Sequence, residues 1–259
     1  MKKTLIGLGC SHTQGCAIQK DGKLVSQQLK DLYNREEVSP EWVTENFSWI
    51  GHLGNLLGVD EKINFGFGGK GIEQIVRVVR NYSINNSDFS NHTFILQIPS
   101  FTRIELLLNN HIETLMNQVN NVKITKETEF YLKYMYNQDF YDYYFLNEIY
   151  FLKKFIELSG GKFYSFSEFC PEFNKVNSTN GKKIVDKFDN LNNWSLNLTK
   201  NLSVQEIKEN INLLNIEVSF DNTLHSDGLK VRDYHLSETG NKNLAKSIYK
   251  EIKNETTFT

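Results

Sequence analysis

Cysteine, proline, alanine and net charge are all scarce in this 259-residue chain, and each shortage narrows what it can be. Cys10, Cys16 and Cys170 are odd in number and lack metal-type spacing, so neither a disulfide framework nor a zinc site is indicated, and a reducing compartment is expected. With three prolines and no Pro/Gly/Ser-rich stretch, nothing in the composition divides the chain, and a single domain over residues 1–259 is expected. The 29 Lys and Arg nearly balance 31 Asp and Glu, which leaves a formal net charge of -2. That removes the basic excess typical of nucleic-acid and membrane-surface binders. No run approaches the roughly 18 apolar residues of a membrane span. Alanine occurs only as Ala17 and Ala245 while Asn, Lys and Ile abound, a bias that reflects codon usage more than structural demand.

Met1-Lys2-Lys3 followed by Thr4 to Cys10 imitates a secretion signal, yet its apolar stretch is about five residues against the roughly 7–15 of a signal core. A short buried strand over Lys3 to Leu8 is the expectation instead, in a cytoplasmic protein.

What is present alternates between strand and helix patterns. Val43, Phe47, Ile50, Leu53, Leu56 and Leu57 recur at helical spacing before Gly58, and a strand is predicted over Lys62 to Phe67. Ile72, Ile75, Val76 and Val79 form another helical face, and His92 to Ile98 is a nearly continuous apolar strand closed by Pro99. Helices are predicted over Ile104 to Val119 and from about Glu127 to Leu158, as insertions around 104–158, followed by a strand over Lys162 to Phe166. A capping-box pattern at Ser203 to Glu206 precedes Ile207, Ile211 and Leu214, and Gly240 to Ile252 is a final amphipathic helix. Strands alternating with helices imply a parallel sheet covered on both faces. The aromatic run Phe140 to Phe145 reads as core packing, because Asp139, Asp142 and Glu148 stand where base stacking would need a basic groove.

Four places concentrate chemistry. Gly9-Cys10-Ser11-His12-Thr13 follows the first strand, where open parallel sheets bind ligands. His12 is not read as the base for Ser11, since neighbours along a turning chain point apart. Asn64-Phe65-Gly66-Phe67-Gly68-Gly69 ends the second strand. Its glycines permit close backbone approach, and although Gly66, Gly68 and Gly71 satisfy G-x-G-x-x-G, no first βαβ unit precedes them as dinucleotide binding requires. Gln97 to Arg103 ends the third strand, and Asp233-Tyr234-His235 precedes the last helix. Separately, each of these is also a turn or cap sequence; together they fall in the order of one cleft on one sheet edge.

On these blocks the sequence resembles the SGNH hydrolases, also called the GDSL esterase/lipase superfamily, over nearly its whole length. Gly9-Cys10-Ser11-His12-Thr13 is similar to the family's Gly-Asp-Ser-x-Thr, with Cys10 in place of the Asp. Asn64 and Gly69 match its second block, and Asp233-Tyr234-His235 its His block, the Asp lying one place closer than in the commonest form. The third block departs most: Gly-x-Asn-Asp is absent, and Ser100-Phe101 stand in the Asn region. The resemblance implies a flavodoxin-like three-layer α/β/α sandwich with a central parallel sheet of about five strands.

It also implies a serine esterase acting on short acyl or acetyl esters of a carbohydrate or small molecule. Ser11 is the implied nucleophile, His235 the base and Asp233 its orienting acid, with Asp227 a rival. Gly69 and a substitute Ser100 are the implied oxyanion donors beside Ser11, and Arg103 and Lys70 favour an acidic substrate or act as solvated helix-terminal charges. No cofactor or metal, no nucleic acid and no membrane span are expected. Acyl transfer from the same acyl-serine and a non-catalytic binding module are the alternatives.

Overall fold

The computed structural model describes residues 2–15, 19–20, 23–24, 45–99, 103–108, 111–115, 134, 138–167, 213–214, 216, 236 and 238–256. Its elements in order are β1 (Thr4–Gly9), α1 (Ser11–Gln14), β2 (Gln19–Lys20), β3 (Lys23–Leu24), α2 (Trp49–Leu57), β4 (Glu61–Gly66) and α3 (Ile72–Asn85). There follow β5 (His92–Ile98), β6 (Ile104–Leu108), β7 (His111–Leu115), α4 (Gln138–Leu158), β8 (Lys162–Ser167) and α5 (Glu238–Thr256).

The central sheet is parallel, in the order β4-β1-β5-β8. At its outer edge Ser165 makes a parallel bridge to Leu213, and the Leu214 N–H donates to the Ser165 carbonyl at 2.8 Å. The described sheet has four strands with this isolated bridge at its edge, and Leu214, expected on a helical face, is not helical. The capping-box residues themselves lie outside the described residues.

Helices cover both faces, as the strand sequences require. In β1, Ile6 and Leu8 join α3 and α4 through Ile72, Ile75, Val79, Phe145, Ile149 and Leu152, while Leu5 turns to α2 and α5 through Trp49, Ile50, Leu53, Leu244 and Ile248. All six β1 residues are buried, which accounts for the apolar run that imitates a signal core. Gly7 lies on the α2 face, where any side chain would collide with Ile50. Ser48 caps α2 by accepting the Gly51 N–H at 3.2 Å, and Gly58 ends it at φ 62°.

One expected helix is a β-hairpin. Ile104 to Leu115 pairs antiparallel as β6 and β7, with Leu108 opposite His111, so two residues connect the strands. The sequence carries both periods: Ile104, Leu107, Leu108, Ile112 and Leu115 lie at helical spacing, but Ile104, Leu106 and Leu108 alternate, and Asn109-Asn110 is a favourable two-residue hairpin turn. The long aromatic helix is described from Gln138, with Tyr134 helical ahead of it.

Candidate active site

The sheet order fixes where a ligand would sit. The chain leaves β1 on one side for β4 and later returns on the other for β5, so β1 is the topological switch point, and the crevice opens at its carboxyl end. Ser11 stands there, two residues after Gly9, as the first residue of α1.

Three different elements hold that single turn of helix. Thr13 Oγ1 donates to Gln97 Oε1 at the end of β5, with both residues fully buried. Asn64 Nδ2 donates to the Thr13 carbonyl at 2.7 Å, and Asn64 Oδ1 accepts the Gly66 N–H at 2.8 Å. Gln14 Oε1 accepts the Gly68 N–H at 2.8 Å. Gly15, at φ 80°, then ends the helix. Gly66 is needed for this seating, because a side chain there would strike the Gln14 backbone.

The turn after β4 lies beside Ser11: a Cβ at Gly68 would come 3.8 Å from Ser11 Cβ. Gly69, at φ 73°, occupies the left-handed region, and a Cβ there would meet nothing within 4 Å. Ser11 and Gly69 are therefore on one edge, partly open to solvent, whereas His12 is 5% exposed and turned into the protein. Cys10, where the resemblance has an acid, is completely buried, and its carbonyl accepts the Gln14 N–H at 2.9 Å.

Arg103 does not terminate a helix; it leads into β6, and its carbonyl oxygen crowds Gly71 at the start of α3. Its Nε and Nη1 atoms are buried rather than solvated. Ser100, Asp227, Asp233 and His235 lie outside the described residues.

Leu236, which follows His235 in the chain, is described and 3% exposed. Asn241 Nδ2 donates to its carbonyl at 3.2 Å, and Asn241 Oδ1 accepts the Trp49 N–H at 2.9 Å. The other end of α2 leads to the amino edge of the sheet, where the Asp60 N–H donates to the Lys3 carbonyl at 2.9 Å. Trp49, and Leu236 with it, therefore lie towards the carboxyl edge that carries Ser11.

Gln97, Gln14 and Asn241 are supporting residues whose roles no motif marks. Only Gln97 leaves a trace in the sequence, as the lone polar residue within the apolar run Phe94 to Ile98.

No family model matches the chain, and no curated protein matches it. It is similar to several solved structures. An esterase from Pseudoalteromonas sp. has 13% identity and a TM-score of 0.46, over 98% of this chain and 99% of that one. An acetylxylan esterase from Geobacillus stearothermophilus has 14% identity and a TM-score of 0.46, over 96% and 94%. A member of the lipolytic protein G-D-S-L family from Veillonella parvula has 10% identity and a TM-score of 0.42, over 97% and 98%.

Proposed function

We propose that the chain is a divergent SGNH-type serine esterase that removes short acyl groups from a carbohydrate or small-molecule ester. One observation carries this reading: Ser11 opens a one-turn helix at the switch point of a parallel sheet, with the Gly68-Gly69 turn beside it. A structural serine in a loop has no need of a turn fixed by β4, β5 and the Gly68 amide together.

In the proposed reaction Ser11 Oγ attacks the ester carbonyl while His235 takes its proton as general base. Asp233 keeps the imidazole in one tautomer and stabilises its cation. The developing oxyanion is met by the backbone N–H groups of Ser11 and Gly69, with the Ser100 hydroxyl as a third donor. Each such donor is worth roughly 3–4 kcal/mol of barrier. His235 then protonates the departing alcohol, and water activated by the same imidazole releases the acid and restores Ser11.

Labelling with a serine-directed phosphonate tests this directly. A single adduct on Ser11, abolished in Ser11→Ala and in His235→Ala while both variants keep the wild-type unfolding midpoint, is the expected result. Folded protein that takes up no phosphonate overturns the esterase and leaves the binding module. Transfer of the acyl group to a sugar in preference to water makes the enzyme an acyltransferase. Comparing Asp233→Asn with Asp227→Asn assigns the acid of the triad.

A further inference from the structure

Next to the candidate site lies a partly buried charged cluster that the acyl chemistry does not use. Glu73, in the first turn of α3, lies within electrostatic reach of Glu105 in β6 and of Arg77, the guanidinium that Glu105 pairs. Arg77 Nη2 pairs with Glu105 Oε2 and donates to Gln74 Oε1 at 2.5 Å. The Glu105 side chain is only 3% exposed. One oxygen of each carboxyl, Glu73 Oε2 and Glu105 Oε1, is buried with no hydrogen-bond partner.

The backbone N–H groups of Glu73 and Glu105 lie on the Glu73 carboxyl's side and favour its charged form. Its Oε2 lies 2.7 Å from where a Gly71 Cβ would stand, and the Arg103 carbonyl oxygen crowds the same point. Both oxygens border the same small space beside Gly71, and acceptors sharing such a space away from water repel unless a hydrogen lies between them.

The surroundings favour keeping that hydrogen. Burial first, and then the charge of Glu105, raise the Glu73 carboxyl to about 7, against the pull of Arg77 and the two backbone N–H groups. The charged neighbours are Glu105 from β6 and Arg77 from α3. α4 and β1 present apolar side chains to α3, among them Phe145, Ile149, Ile6 and Leu8.

We propose that Glu73 is a positioning residue for this site, acting as a proton-operated clasp. Protonated, its O–H closes the seam between the Arg103 segment and the Gly69–Gly71 turn; ionised, its oxygen repels the facing acceptors and the turn loosens. Because the turn carries the Gly69 N–H, the proton on Glu73 then governs how well the oxyanion is met, a consequence that rests on the esterase reading.

Two measurements on the full chain test the clasp. In hydrogen exchange corrected for intrinsic rate, wild type is compared with Glu73→Gln at about pH 6 and about pH 8.5, either side of the ionisation. The wild-type segment covering Gly66 to Ile75 should lose several-fold protection at the higher pH, while the variant, neutral at both, should not. Equal change in the two proteins overturns the clasp. In the pH profile of short-ester turnover, wild type should show a falling limb near neutrality, expressed in kcat rather than KM and absent from Glu73→Gln. A limb retained in the variant overturns the positioning role. A wild-type chain that turns over no ester sinks the esterase reading alone, since the exchange experiment needs no activity.

Discussion

Thr13 and Gln97, 84 residues apart, meet as a buried hydroxyl donating to a buried carboxamide oxygen. The contact joins the turn after β1 to the end of β5 across the floor of the crevice. Gly9 lies tightly beneath it, since a Cβ there would be 3.0 Å from Gln97 Cβ and would strike the Thr13 hydroxyl. Neither residue reaches the surface, so their contribution is to hold Ser11 from behind.

Thr13→Val keeps the branched shape and removes the hydroxyl. Loss of one partner from a buried hydrogen bond costs about 1–3 kcal/mol, so the unfolding midpoint should fall. Turnover should fall at temperatures where the variant is still fully folded, because α1 loses its anchor to β5. Unchanged kcat/KM in folded Thr13→Val shows that this anchor does not set the position of Ser11.

Asn64 performs two tasks with one side chain, holding the Thr13 carbonyl and the Gly66 N–H at once. Asn64→Ala gives up both bonds and loosens β4 from α1, although the Gln14–Gly68 bond remains. The rate of phosphonate reaction at Ser11 should drop at least tenfold, equivalent to about 1.4 kcal/mol in the barrier. A rate within twofold of wild type assigns Asn64 to stability only.

The inner strands β1 and β5 were legible because they are buried on both faces, and Ile6-Gly7-Leu8 or Phe94-Ile95-Leu96 reads as continuous apolar chain. The position of Ser11 at the carboxyl edge was legible from its place after the first of them. The Ile104 to Leu115 hairpin was not, since leucines at 106, 107 and 108 satisfy the helical and the alternating period together, and the pairing partner decides between them. The roles of Gln14, Gln97 and Asn241 were not legible for a different reason. Each acts on a residue far away in sequence, so its role exists only once the sheet has assembled.

Stability should depend on pH through Glu73. Its carboxyl is raised in the folded protein from 4.5 to about 7, chiefly by burial, so the folded state holds a proton that the unfolded chain releases. The stabilisation is therefore complete below the unfolded value and is lost as pH rises through the window from 4.5 to about 7. The slope is at most about 1.4 kcal/mol per pH unit, reduced by the solvent that still reaches this half-buried group. Urea unfolding of wild type and Glu73→Gln across that range should give curves that diverge as pH rises. Parallel curves would mean that Glu73 titrates as an ordinary carboxylate.

Asn241 links the entry of the last helix to the start of α2. The Trp49 N–H is one of the donors that a helix N-terminus leaves without an intrahelical partner, and Asn241 Oδ1 supplies the acceptor. Its Nδ2 holds the Leu236 carbonyl, immediately after His235. Asn241→Asp preserves the acceptor for Trp49 but sets a carboxylate oxygen against the Leu236 carbonyl, so it loosens the chain next to His235 while leaving the α2 cap in place. If His235 is the base, this variant should lose at least tenfold in kcat with little change in KM, since general-base efficiency depends on hydrogen-bond reach to the nucleophile. Asn241→Ala should lose both the cap and the tether, costing roughly 1–3 kcal/mol for each buried group left unpaired. Wild-type kcat in Asn241→Asp would detach His235 from the proposed reaction, because the residue placed beside it would then have no bearing on turnover.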